Sequence, residues 1–194
     1  MSSLDVKGDL HEYLRGARET LVWKLEGLGE YDVRRPLTPT GTNLLGLVKH
    51  DAAMNVLYFG DVFGRTPDVS LPWLLDDAEP NADKWARPDE TRERIIELYR
   101  STWELADATI GELRLDAVGR VWWWGGSRVT LHRVLVHMTC ETQRHAGHAD
   151  IVRESIDGAA GFLRGSDNLH ISDPTSWRTF HDRIEEAARL ADGH

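Results

Sequence analysis

Apolar residues recur at spacings of three and four along four long segments of this chain. The pattern covers residues 5–29, 43–63, 89–113 and 127–156. Such spacing places side chains on one face of an α-helix, whereas a half-buried strand alternates with period two. No segment alternates for long enough to predict a sheet. Four long helices within 194 residues therefore predict an all-α fold built as a four-helix bundle.

Proline, glycine and capping residues separate the predicted helices. Residues 31–43 contain two prolines, and either Thr42 or Asn43 is placed to cap the second helix. Residues 64–88 contain four prolines and many acids, which predicts a long crossing loop. A connector, RLDAVGRVWWWGGS, precedes the fourth helix, which begins at Ser127 or Thr130.

The chain changes character after the fourth predicted helix. Residues 161–174 are rich in Gly and Asp, and residues 175–191 predict a short terminal helix through Trp177, Phe180, Ile184 and Ala188. We therefore predict two parts, a helical bundle over residues 1–160 and a C-terminal extension over residues 161–194.

Charge and composition exclude several classes of partner. The net charge of −9 repels phosphate backbones, so nucleic-acid binding is not expected. No apolar run approaches the ~18 residues of a membrane span, and the N-terminus lacks the apolar core of a signal peptide. The single cysteine, Cys140, rules out a disulfide framework within the chain and is expected to be a small buried residue. A cytoplasmic location is the expectation.

The fourth predicted helix carries a polar stripe within an apolar surface. The stripe is formed by Val134, His137, Glu141, His145, His148 and Val152 at spacings of three and four. Leu131, Leu135, Met138 and Ile151 flank it, so the stripe is expected to face inward. A buried carboxylate beside imidazoles requires pairing or a bound cation.

The second predicted helix carries one histidine on its apolar face. His50 shares that face with Leu47 and Met54, whereas Lys49 and Asp51 are expected to face solvent. Glu141 and His145, four residues apart, and a histidine from a facing helix form a two-histidine, one-carboxylate set suited to a divalent transition metal. A hydrogen-bonded core histidine and a simple i,i+4 polar contact are the alternatives, and the residues alone leave them open.

Two segments carry a resemblance to a known family. SRVTLHRVLVHMTCETQRHAGHADIVRESIDG resembles the fourth helix of the DinB-like family, and LTPTGTNLLGLVKHDA resembles its second helix, closest to the branch akin to mycothiol-dependent maleylpyruvate isomerase. The resemblance covers about residues 5–160. It implies an up-down-down-up four-helix bundle with a divalent metal held by His50, Glu141 and His145. His148 is expected to orient a ligand or to hydrogen-bond across the bundle, and His137 to line the pocket wall.

The resemblance also implies a function. It predicts a metal-dependent thiol S-transferase that uses mycothiol or a similar thiol on a small electrophile, with zinc as the expected metal and nickel, iron(II) or manganese as alternatives. A homodimer is expected. Isomerase activity itself is not expected, because only a short extension follows the bundle. A hydrolase that uses metal-bound water and a non-catalytic metal-binding or dimerisation bundle are the competing hypotheses. Residues 122–124, all Trp, either wall the mouth of the pocket or pack beneath a loop.

Overall fold

Helices make up most of the structure, a computed structural model that describes residues 5–65, 70–75, 78–167, 169–171 and 173–192. Within these residues, six α-helices and two short strands follow one another: α1 (Val6–Trp23), α2 (Glu30–Arg34), α3 (Leu44–Asn55), α4 (Arg92–Glu112), β1 (Val118–Val121), β2 (Ser127–Thr130), α5 (Leu131–Asp157) and α6 (Pro174–Asp192). The mostly helical fold is as predicted, although α2 and both strands were not foreseen.

Side-chain caps decide where the long helices begin. The side chains of Asp5, Asn43, Thr91 and Thr130 each accept a hydrogen bond from a backbone amide three residues later. These bonds satisfy amides that have no partner within the helix. Asn43 and Thr130, rather than the alternatives Thr42 and Ser127, are therefore the caps of α3 and α5.

The predicted absence of any sheet is wrong for the segment that precedes α5. Strands β1 and β2 pair antiparallel, with Val118 opposite Thr130 and Val121 opposite Ser127. A 3₁₀ turn, Trp122–Trp124, joins them through Gly125 and Gly126, which both have positive φ. Each strand has only four residues, so period-two alternation cannot be recognised in the sequence.

The chain stays helical beyond the end of α3. A π-helical turn, Val56–Gly60, and a 3₁₀ turn, Asp61–Phe63, continue it to the residue where the second helix was predicted to end. The crossing segment that follows contains two further 3₁₀ turns, Pro72–Leu74 and Ala82–Lys84, and its residues 66–69 and 76–77 lie outside the described residues.

Helix α3 lies at the centre of the packing. It contacts both α4 and α5, and α1 packs along α5. One apolar cluster joins α1, α3 and α4 around Leu21, Leu45, Val48 and Tyr99, and a second joins the π-helical turn to α5 around Phe59, Leu135 and Met138. Met54 contacts both clusters. The N-terminal half of α3 is thus enclosed, and this enclosure positions the polar residues described below.

The expectation that Lys49 and Asp51 face solvent is wrong. Their side chains are 2% and 0% exposed. The Lys49 ammonium donates to Glu90 Oε2 at 2.8 Å and to the Trp85 carbonyl oxygen at 2.9 Å, because the segment before α4 covers this face of α3. Burial lowers the pKa of Lys49.

No helix in the described part of the chain is long and apolar enough to cross a membrane.

Helix α6 differs from the other long helices, because it buries no side chain. Trp177 and Phe180 on this helix pack edge-on against each other, with ring centroids 6.0 Å apart.

Candidate functional site

The packing of α3 on α5 brings His50, Glu141 and His145 together. The rings of His50 and His145 meet edge to face, with centroids 5.0 Å apart. On α5, His145 Nε2 lies 3.5 Å from Glu141 Oε2. His145 thus lies beside both His50 on α3 and Glu141 on α5.

The two ring nitrogens of His145 are buried. Neither of its ring nitrogens has a hydrogen-bond partner among the described residues. Burial lowers the pKa of His145, and the neighbouring His50 lowers it further. An uncharged imidazole with unused nitrogen atoms is the form in which histidine binds metals, and leaving it unpaired is otherwise costly.

The donor set fits a divalent cation in its chemistry. Two imidazoles and one carboxylate are ligands that zinc and its neighbours accept, and three protein ligands leave a position open. The described residues nevertheless contain no group of three or more His, Cys, Asp or Glu side chains arranged so that it could hold a metal ion as it stands. Metal binding by His50, Glu141 and His145 thus stays a prediction.

Asp83 is a functional candidate that the sequence did not reveal. Its Oδ2 lies 2.6 Å from His50 Nδ1, and this hydrogen bond holds the pKa of Asp83 below its usual value. Asp83 lies 33 positions from His50, in a segment predicted only as a loop. No local sequence signal links the two residues.

A cavity of about 310 Å³ opens beside the two histidines. Its wall is formed by residues before and within α3, in α5 and in the 3₁₀ turn Ala82–Lys84. They are Thr40, Gly41, Thr42, Asn43, Gly46, Leu47, His50, Lys84, His145 and His148. His148 is exposed, and its ring centroid lies 5.8 Å from that of His145. A small polar molecule that enters here would meet both histidines of the predicted ligand set.

His137 lies on the other side of Glu141, in an aromatic cluster. Its ring packs against Tyr58 and Trp124, with centroid distances of 4.7 and 4.9 Å. Trp123 Nε1 donates to the Tyr58 hydroxyl at 3.2 Å. Burial lowers the pKa of His137 and raises that of Tyr58. Trp122 instead is exposed beneath the Arg120 guanidinium, so only two of the three tryptophans border this cluster.

A buried hydrogen-bond network lies behind the candidate ligands. Asp51, which follows His50, accepts hydrogen bonds from the Tyr99 hydroxyl at 2.6 Å and from Thr142 Oγ1 at 3.0 Å. Thr142 in turn follows Glu141. The network thus ties α3, α4 and α5 together immediately beside the site.

Two expectations about α5 are wrong. Cys140, expected to be buried, is exposed, and Ile151, expected to flank the inward stripe, is 65% exposed. The buried face of α5 runs instead through Val134, Met138, Thr142, Ala146 and Ala149, from which both positions are turned away. His132, His170 and His181 are exposed, and His194 lies outside the described residues.

The fold and the site define a helical protein with a histidine–carboxylate centre between two packed helices. Residues 9–158 match the family model of the mycothiol-S-transferases, and the chain belongs to that family. The match confirms the resemblance to the DinB-like family. No curated protein matches the chain.

A solved structure shares the fold. The chain is similar to the crystal structure of a conserved protein from Enterococcus faecalis, with a TM-score of 0.63 and 17% sequence identity. The similarity covers 81% of this chain and 100% of that one. At this identity the likeness concerns the fold alone.

Proposed function

We propose that the protein is a metal-dependent thiol S-transferase, which joins mycothiol or a related low-molecular-weight thiol to a small electrophile. The observation that carries the proposal is that the buried ring nitrogens of His145, beside Glu141 and His50, have no hydrogen-bond partner among the described residues. Membership of the mycothiol-S-transferase family supports the thiol as co-substrate.

His50, Glu141 and His145 would hold the metal ion in this proposal. Zinc suits two imidazoles and one carboxylate, and nickel, iron(II) and manganese share such ligands. A bound divalent ion supplies positive charge that stabilises a thiolate relative to its thiol at neutral pH.

The remaining residues bind and shield the reactants. The cavity beside His50 and His145 would receive the thiol, and His148 at its wall would accept the thiol proton. The sulfur then forms a bond to the electrophilic carbon, and the leaving group departs with its electron pair. Tyr58, Trp124 and His137 form a cluster on the other side of Glu141 from this cavity. These three side chains would keep water from the electrophile.

The proposal includes three further assignments, which concern the helix topology, the oligomeric state and the location. Helices α1, α3, α4 and α5 would form the up-down-down-up bundle of the DinB-like family, which the packing of α3 on α4 and α5 and of α1 on α5 supports. A homodimer and a cytoplasmic location are proposed by analogy with that family.

Metal content tests the proposal first. Untagged protein, purified without chelator, is analysed by elemental mass spectrometry beside His50→Ala and Glu141→Ala. His181→Ala serves as a matched control, because His181 is exposed on α6. We expect about one equivalent of a transition metal in the wild type and the control, and its loss from both site variants.

Activity then separates the competing functions. Mycothiol and monobromobimane are supplied as thiol and electrophile, and we expect conjugation that follows metal content across the four proteins. A wild type that stays metal-free when zinc, nickel, iron(II) and manganese are offered would overturn the proposal. A loaded protein that hydrolyses esters but conjugates no thiol would favour the hydrolase.

A further inference from the structure

We propose that Asp83 is a positioning residue for His50, whose carboxylate fixes the tautomer and orientation in which His50 binds metal. The inference rests on the proposed function, because it assigns His50 a metal to bind. It begins from the 2.6 Å contact between Asp83 Oδ2 and His50 Nδ1.

The turn that carries Asp83 is fitted to the start of α3. Residues Ala82–Lys84 form a 3₁₀ turn that packs on α3. The Asn43 side-chain amide donates to the Lys84 carbonyl oxygen at 3.2 Å while its oxygen caps α3. A Cβ built on Gly46 would overlap that same carbonyl oxygen. Glycine at this position therefore lets the turn approach the helix backbone.

The spacing of Gly46 and His50 explains where Asp83 lies. The two residues are four apart on α3, so they occupy the same face one turn from each other. A turn seated on Gly46 consequently brings its middle residue, Asp83, within hydrogen-bond distance of His50 Nδ1. The His50 and Asp83 side chains are each only 19% exposed, so water competes weakly for this hydrogen bond.

The hydrogen bond selects one tautomer of His50. An ionised carboxylate only accepts hydrogen bonds, so Nδ1 carries a proton. In the neutral ring, Nε2 then keeps its lone pair for a ligand. Metal-binding histidines commonly donate their second nitrogen to a carboxylate in this way, which orients the ring and raises its basicity. Asp83 acts through His50 and is not itself a ligand in this proposal.

Three variants test the role of Asp83. Asp83→Ala removes the acceptor, and Asp83→Asn keeps its shape with a neutral oxygen. Asp89→Asn is the matched control, because Asp89 lies in the same segment and pairs with the exposed Arg87. Zinc affinity is measured by competition with a chromophoric chelator, after circular dichroism has shown that each variant is folded.

We expect Asp83→Ala to bind zinc about 10- to 100-fold more weakly, Asp83→Asn to lie between it and the wild type, and Asp89→Asn to match the wild type. Long-range ¹H–¹⁵N spectra of metal-free protein provide a readout that a purely structural role would not change. They should show the Nδ1–H tautomer of His50 in the wild type and its loss in Asp83→Ala.

The outcomes separate the two proposals. If the wild type binds zinc and Asp83→Ala binds it as tightly with the same His50 tautomer, the positioning role is overturned and the proposed function stands. If the wild type binds no zinc or other divalent ion, the proposed function fails and this inference fails with it.

Discussion

At the scale of single residues, the fully buried carboxylate of Asp51 requires hydrogen-bond donors in place of water. Two hydroxyl groups satisfy it, Tyr99 from α4 and Thr142 from α5. Asn55, one turn further along α3, accepts a hydrogen bond from the buried Arg18 at 2.8 Å and extends the network to α1. A charge without water must be paired or hydrogen-bonded, so each of these donors should matter for stability.

Removing the Tyr99 hydroxyl tests this network. Burial raises the pKa of Tyr99 well above its usual value, so the phenol keeps its proton and donates. Tyr99→Phe should lower the free energy of unfolding by roughly 1.5–3 kcal/mol, the usual worth of a hydrogen bond to a charged group. Urea unfolding measures the loss, with Tyr13→Phe as control because Tyr13 is 67% exposed. Equal stability of the two variants would contradict the assigned role.

Residues at the site were foreseen unevenly for a physical reason. His50, Glu141 and His145 could be proposed because helical periodicity fixes which side chains share a face and the family resemblance points to the same three residues. Asp83 and the burial of Lys49 and Asp51 depend on the segment before α4 folding back over α3. Such long-range contacts leave no periodic trace in the sequence.

At the scale of elements, the contact between α3 and the 3₁₀ turn Ala82–Lys84 depends on the missing side chain of Gly46. A methyl group there must displace either the helix or the turn. If the turn moves, Asp83, which accepts the hydrogen bond of His50, moves with it. Overpacking of this kind typically costs about 1–3 kcal/mol. The cavity beside His50 shares the same wall, so its shape should change as well.

Gly46→Ala is therefore expected to be destabilising, although alanine normally favours helices. Gly111→Ala is the matched control, since Gly111 lies in α4 and a Cβ there meets nothing within 4 Å. We expect urea unfolding to show a loss of roughly 1–3 kcal/mol for Gly46→Ala and a gain of about 0.5–1 kcal/mol for Gly111→Ala. A gain in both variants would show that the turn does not rest on α3.

The elements themselves were predictable where local chemistry determines them. Asn43 and Thr130 were among the proposed caps, and α4 and α5 begin and end within a few residues of their predicted positions. The hairpin was missed because β1 and β2 are held by cross-strand pairing and by two glycines at positive φ. Neither contribution appears as an apolar repeat.

At the scale of the whole molecule, the residues after α5 differ in how they contact the rest of the fold. Gly161 and Phe162 are hydrogen-bonded to residues 20–24, whereas α6 buries no side chain. Fully buried Lys24 donates to Asp150 at 2.5 Å and to the Gly161 carbonyl oxygen at 2.7 Å. The next carbonyl, that of Phe162, accepts from Thr20 Oγ1 and Trp23 Nε1 at 2.9 and 2.8 Å. Helix α6, in contrast, buries nothing. The hydrogen-bonded residues Gly161 and Phe162 thus come directly after the predicted bundle, residues 1–160.

Two truncations place the boundary by experiment. A chain that ends at Asp173 loses α6 alone, and its melting temperature should stay within about 2 °C of the wild type. A chain that ends at Ala160 keeps all of α5 and its Gly158 cap. It loses the three hydrogen bonds that Lys24, Thr20 and Trp23 donate to the Gly161 and Phe162 carbonyl oxygens. We expect it to lose at least about 2 kcal/mol, a fall of roughly 4–8 °C in melting temperature.

Calorimetry of the two truncated chains decides between the boundaries. If the chain ending at Ala160 melts with the wild type, the predicted division at residue 160 is correct and the contacts of Lys24, Thr20 and Trp23 contribute little. If only that chain is destabilised, the stable unit extends past residue 160, because Lys24, Thr20 and Trp23 donate to the Gly161 and Phe162 carbonyl oxygens. These oxygens lie beyond the segment matched by the family.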